Sequence, residues 1–320
     1  MTHNSHHLTQ RDRGAIAVFA ALAFIPITIA LAVVADSGRA WVARHSLQNG
    51  VEAAAGAAAQ TWLTGGTSCA SSALALATAD GATTSSISCS VTGSRTSGTV
   101  KVVATSRVPL VFASLLGRDH ATVTASTTAR IGPASKAIGV SPMALCAGNP
   151  AIASWIASGM TSTVTSTITF ETATPVCGGT TPGNWGMLDF NGGSNSTSDF
   201  VDWVVNGYPS TLSVGDVVPG DPGAPATSAG ISSVVGTSFI IPLFSAPTGT
   251  GSGARYPIVG FAQVHLVSAK LTGNSKTRSL TIRFERGITS GSVTQLGGGG
   301  TNYGVSAWGI CSYDSQGQCS

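Results

Sequence analysis

Charge is the first thing this chain lacks. Only 9% of its 320 residues are Asp, Glu, Lys or Arg, against about a quarter in an ordinary soluble domain. The net charge is +3 and no basic stripe runs along the sequence, which argues against a nucleic-acid binder. Aromatic residues are few, at 6%, and Gly, Ser, Thr and Ala dominate in their place. The surface must therefore be rich in hydroxyl and amide groups, as suits an exported, β-rich protein. The catalytic signatures are missing too: no G-x-S-x-G elbow, no HExxH and no phosphate-cradling GxxxxGK[ST] occurs. Candidate bases beyond the apolar segment reduce to His45, His120 and His265. No CxxC or His-containing cysteine cluster exists, so a zinc site is not expected.

Hydrophobic residues are plentiful, at 42%, and the densest run is Ala15–Ala35, without a single charge. As a helix it would be about 32 Å long, enough to cross a bilayer's hydrocarbon core. A cleaved signal peptide is the rival reading, because Val33-Val34-Ala35 is an acceptable cleavage site. Its apolar region would, however, run only about 7–15 residues. Pro26 should bend the span without ending it. Past Asp36 the small and apolar residues Ala40, Ala43, Leu47, Val51, Ala54, Ala58 and Trp62 recur at steps of three and four, one face of a helix. The pattern stops at Gly65-Gly66. One helix over residues 15–63 is the favoured reading, and two helices joined near Ser37-Gly38 the alternative. The stripe Leu47, Val51, Ala54, Ala58 and Trp62 is the expected packing face, and its small side chains suit lateral packing, including self-association.

Six cysteines, Cys69, Cys89, Cys146, Cys177, Cys311 and Cys319, all follow the span. Even number and position favour disulfides in an oxidising compartment. Nearest-neighbour pairing (Cys69–Cys89, Cys146–Cys177, Cys311–Cys319) is the working choice among fifteen, with buried free thiols as the alternative. Positive charges tie on the two sides of the span, with Arg11 and Arg13 before it and Arg39 and Arg44 after it. The cysteines therefore set the orientation, with a cytoplasmic N-terminus at residues 1–14 and an exported body.

Candidate strands in residues 36–132 are Ser86–Thr92, Thr99–Arg107 and His120–Arg130, with helices at Ser68–Ala79 and Val108–Gly117 and a boundary at Gly132-Pro133. Residues 133–320 read as β-rich. Strands are expected at Thr163–Thr172, Ser238–Phe244, Pro257–Val267 and Leu280–Arg286, with a hairpin turn at Gly273-Asn274. The one strong helix there is Ser198–Asn206. The fold class is α+β: a long transmembrane and stalk helix, a small α/β pilin-like domain, then a β-rich domain.

No Lys or Arg occurs between Lys136 and Arg255, where Glu171, Asp189, Asp199, Asp202, Asp216 and Asp221 lie. Arg255, Lys270, Lys276, Arg278, Arg283 and Arg286 follow. Solvated surface charge is the plain explanation; cation binding or pairing between subunits are the others. Asp189, Asn191, Asn195 and Asp199 share a Gly-rich loop with calcium-type oxygen ligands. The spacing is not that of an EF-hand.

The segment "RDRGAIAVFAAL…VVADSGRAWVARHSLQNGVEAAAGAAA", residues 11 to 59, resembles the N-terminal module of TadE/TadG-like Flp pilus-assembly proteins. The match rests on Gly14, Asp36, Gly38, Arg39, Leu47, Gln48, Asn49 and the alanines 53–55 and 57–59. Glu52 stands where members often carry Asp. "GTVKVVATSRVPLVFASLLGRDHATVTASTTARIG" (98 to 132) resembles a strand–helix–strand unit found downstream of that module, and "GNWGMLDFNGG" (183 to 193) a segment in the C-terminal regions of some such proteins. The resemblance implies a non-enzymatic, pilin-like component of a bacterial Flp (Tad) pilus or secretion apparatus. It would sit single-pass in the inner membrane with its body outside the cytoplasm, in contact with lipid and other apparatus subunits. The alternative is a secreted β-domain freed of its signal peptide, either carbohydrate-binding or hydrolytic. One departure concerns processing: prepilins are cut after a Gly with Glu five residues on, and here Phe19 stands at that distance from Gly14.

Overall fold

The computed structural model describes residues 10–66, 86–94, 96–170, 177, 185–192, 197–220, 228–250, 253–274, 276–289 and 301–311. The chain divides into two compact units that interleave along the sequence. One comprises Met1–Ala57, Ala70–Cys89 and Lys101–Thr127; the other comprises Ala58–Cys69, Ser90–Val100 and Thr128–Ser320.

A single helix, α1 (Gln10–Leu63), carries the whole N-terminal region. Gly38 sits inside it without interrupting it, so the two-helix alternative does not hold. The apolar portion is exposed all round: Phe19, Ile29 and Val34 are 72%, 59% and 69% exposed. Thr28 adds no unsatisfied polar group there, because its hydroxyl donates to the carbonyls of Phe24 (3.0 Å) and Ile25 (2.8 Å). From residue 47 onward the character reverses. Leu47, Val51, Ala54, Ala55, Ala58, Ala59 and Leu63 are buried, and so are Gly50 and Gly56. Small side chains let whatever covers this stripe approach the helix backbone closely.

The helix ends in a complete Schellman motif. Gly66 N–H donates to Thr61 O (2.8 Å) and Gly65 N–H to Trp62 O (3.3 Å), while Gly65 takes φ +101°, a left-handed value that favours glycine.

β1 (Ser86–Ser94), β2 (Ser97–Pro109) and β3 (His120–Pro133), each with residues assigned to both units, are neighbours in that order. β2 alternates strictly, with Val102, Ala104, Ser106 and Val108 buried, the period of a half-buried strand. β3 is tied to α1 by Gln48 Nε2, which donates to Thr127 Oγ1 (3.0 Å) and also to Glu52 Oε1 (2.8 Å). The helix expected at Val108–Gly117 is only a 3₁₀ turn, Ala113–Leu116. Pro109 closes the strand and Gly117 at φ +81° closes the turn, leaving too few residues for an α-helix. The helix expected at Ser68–Ala79 lies outside the described residues.

The second unit is built on a seven-stranded sheet. Its path runs β6 (Thr165–Thr169), β12 (Ser279–Glu285), β11 (Arg255–Lys270), β10 (Ser238–Phe244), β5 (Met143–Cys146) and β7 (Trp185–Met187), with β9 (Val217–Pro219) pairing to β11. β10 pairs antiparallel with β11 and parallel with β5. The β11–β12 hairpin turns through Gly273 at φ +99°. Three helices, α2 (Pro150–Ala157), α3 (Thr197–Asn206) and α4 (Ser228–Ser233), contribute Ile152, Trp155, Phe200, Val204 and Ile231 to a core shared with Leu243, Val264, Leu266 and Ile282. A second core gathers Phe244, Ile258 and Phe261 with Val140, Leu188 and Leu212. The short strands β4 (Lys136–Ala137) and β8 (Leu212–Ser213) pair with each other, and β13 (Gly287–Ile288) pairs parallel with β14 (Val305–Ile310). Gly132 and Pro133, expected at a boundary, instead end β3 and pair with Ala307 and Ser306 of β14.

Helix α2, absent from the expected elements, carries the sequence signs of a helix start. Asn149 caps it by accepting from Ala151 N–H (3.0 Å), and Pro150 opens the first turn.

Candidate functional site

Among the charged residues of α1, Asp36 is the one placed at the end of the apolar span, and it is buried. Its carboxylate accepts from three consecutive backbone N–H groups: Val111 (2.9 Å), Phe112 (3.1 Å) and Ala113 (2.8 Å). These head the 3₁₀ turn, whose own first N–H groups have no internal partners. Burial pushes the Asp36 pKa upward, but the three N–H donors, together with the Arg39 guanidinium, outweigh it and hold the carboxyl below its ordinary value. Asp36 thus stays ionised at neutral pH and pins the 110s loop to the helix where the apolar run ends.

The loop is closed at its base by Leu110 N–H donating to Asp119 O (2.9 Å). Beside it lies a groove of about 460 Å³ lined by Thr28, Ile29, Ala32 and Val33 on the helix and Phe112 and Leu115 on the loop. One turn further along α1, Trp41 packs edge-on against His45 with ring centroids 4.2 Å apart.

In the acidic loop the described groups make local hydrogen bonds. The buried Asp189 carboxylate accepts from the N–H groups of Asn191 (3.2 Å) and Gly192 (2.9 Å), closing its own turn. Asp199 sits in the first turn of α3, and Asn195 lies outside the described residues. Among the described residues no group of three or more His, Cys, Asp or Glu side chains gathers as a metal site. The other acids also serve local structure: Asp216 accepts from Ser213 N–H (2.8 Å) and Asp202 from Asn206 Nδ2 (2.6 Å). Asp221 and Glu171 lie outside the described residues.

One cluster was invisible to sequence reading. Strand register brings Ser238, His265 and Glu285 together. Ser238 Oγ donates to Glu285 Oε2 (2.8 Å) and lies 3.1 Å from His265 Nδ1, while Arg283 pairs with Glu285 at 2.6 Å. Burial raises the Glu285 pKa, but Arg283 and Ser238 more than offset it, so the carboxyl sits below its ordinary value. In a base-activated serine the histidine stands between hydroxyl and carboxylate. Here the serine stands in the middle with its proton committed to the carboxylate, an arrangement that braces three strands.

Cys146 and Cys177 are disulfide-bonded with Cα atoms 5.6 Å apart. Cys89 and Cys311 each take part in a disulfide as well. Cys69 and Cys319 lie outside the described residues, and with them the two outer pairs of the nearest-neighbour reading.

These features define a class: a chain with one long N-terminal helix, apolar and exposed in its first half and carrying a buried small-residue stripe in its second, followed by a β-rich, disulfide-bearing region. Residues 14–61 match the Tad family model, described as Flp pilus-assembly TadE/G-like. That segment and the apolar helix fit a membrane-anchored pilus component. No curated protein and no solved structure gives a match.

Proposed function

We propose that this protein is a non-enzymatic, pilin-like structural or assembly component of a bacterial Flp (Tad) pilus or secretion apparatus. Residues 15–35 cross the inner membrane once, residues 1–14 face the cytoplasm, and the body stands outside and contacts other apparatus subunits. It needs no cofactor for this. The single observation that carries the reading is the continuity of α1 from Gln10 to Leu63. A segment bare enough for lipid and a segment with a buried stripe are one mechanical rod, matched to the pilus-assembly family along most of its length.

Cleavage after Ala35 would sever that rod beside the Asp36 clasp. Mass spectrometry of the mature chain from fractionated cells tests the proposal. The span retained, in the membrane fraction, is the expected result. A mature chain beginning at Asp36 in the culture supernatant would overturn it.

A further inference from the structure

The loop between β2 and β3 has the surface of a membrane-inserting element. Val111, Phe112 and Leu115 are 50%, 44% and 83% exposed. Phe112 and Leu115 share a groove with Ile29 and Val33, residues of the span itself. Ile29 lies seven residues below Asp36, about 10 Å down the helix at 1.5 Å per residue. The loop tip therefore lies beside helix residues that are in hydrocarbon if the span is.

The backbone of the tip is prepared for such a medium. In lipid every exposed N–H must find a partner within the protein. Asp36 takes those of Val111, Phe112 and Ala113. Leu115, Gly117 and Arg118 donate to Phe112, Ser114 and Ala113 carbonyls at 3.0–3.1 Å, and the Ser114 hydroxyl donates to Val111 O at 2.6 Å. What remains outward is apolar. Immediately behind the tip stand exposed Arg107 and Arg118 on the loop's two arms and Arg39 and Trp41 on the helix. Cations and tryptophan at that level are typical of the headgroup region.

We propose that residues 111–116 are a second membrane contact: a wedge that enters the outer leaflet beside the span, with lipid acyl chains filling the groove against Ile29 and Val33. The proposal rests on the span being membrane-embedded. Asp36 then serves as the clasp that holds wedge and span at one depth. The anchor resists tilting because it touches the leaflet at two points.

The test uses the full chain in phosphatidylethanolamine–phosphatidylglycerol vesicles. No described cysteine is free, so an introduced thiol can be labelled selectively. Leu115→Cys and, separately, Val111→Cys, Ile29→Cys and Val164→Cys are labelled with an environment-sensitive fluorophore. Each is challenged with iodide in water and with a nitroxide carried at a shallow acyl position. The expected result is lipid quenching at 115 and 111 within about twofold of that at 29, and iodide quenching several-fold weaker than at 164, consistent with burial of about 5–10 Å. Iodide quenching at 115 and 111 equal to that at 164, with lipid quenching intact at 29, overturns the wedge alone. Shielding of 115 and 111 from both quenchers also overturns it, since protein would then cover the tip. Loss of lipid quenching at 29 overturns the anchor reading and the wedge together.

Discussion

Removing the Cys146–Cys177 disulfide tests whether the body is built for an oxidising compartment. The bond closes a loop of sequence separation 31 that contains α2 and β6. Chain-entropy reasoning gives about 3.7 kcal/mol of stabilisation for a loop of that length at 25 °C. The site is not peripheral: Cys146 is fully buried and pairs in register with Phe244 across the parallel β5–β10 junction. The double variant Cys146→Ala/Cys177→Ala removes the crosslink without leaving a reactive thiol. Guanidinium unfolding of the full chain in nanodiscs, followed through tryptophan fluorescence (Trp155 and Trp203 lie within this unit), should show a loss of about 3–4 kcal/mol. That is roughly a 140- to 720-fold shift toward the unfolded state at about 1.4 kcal/mol per decade. A loss below about 1 kcal/mol would refute the reasoning, since the crosslink would then remove almost nothing from the entropy of the unfolded chain.

Four further outcomes are expected. Ala54→Leu overpacks a position with no exposed surface and should cost about 1–3 kcal/mol in the same unfolding assay, with export unchanged by cell fractionation. Gly65→Ala places a Cβ at φ +101° and should cost about 1–2 kcal/mol, read as earlier fraying of the helix end by hydrogen exchange. Asp36→Ala should speed amide exchange at Val111, Phe112 and Ala113 while the β2 amides stay protected. The Glu285 carboxyl lies below its ordinary 4.5, so its contribution to stability is present above that pH and is lost as pH falls through its folded value. Glu285→Gln should flatten that part of the stability–pH curve in acid titrations.

The rod and its junction were legible because they depend on local pattern. An uncharged run, then small and apolar residues at steps of three and four, specify one helix, and Gly65-Gly66 ends it. Strands such as Ser238–Phe244 were equally plain. The 110s loop departs from the helix expected over Val108–Gly117 because Pro109 and Gly117 bound too short a segment, whatever its apolar content. α2 escaped although Asn149-Pro150 announced it. Asp36 was recognisable as the place where polarity returns, but its partners lie 75–77 residues away, and single-sequence periodicity carries no information at that range. The Ser238–His265–Glu285 cluster depends on the register of three strands and was hidden for the same reason.

The interleaving of the two units limits how this chain can be dissected. The segment resembling pilus-assembly proteins stops at residue 61, short of the end of a stripe in which Ala58 and Ala59 are fully enclosed and Leu63 is buried. A gene fragment ending there would translate a greasy, half-clothed peptide instead of a portable module. Transplanting this anchor onto another cargo therefore requires carrying its strands along as well, and a swap made at residue 127 should succeed no better, because β3 continues unbroken to Pro133.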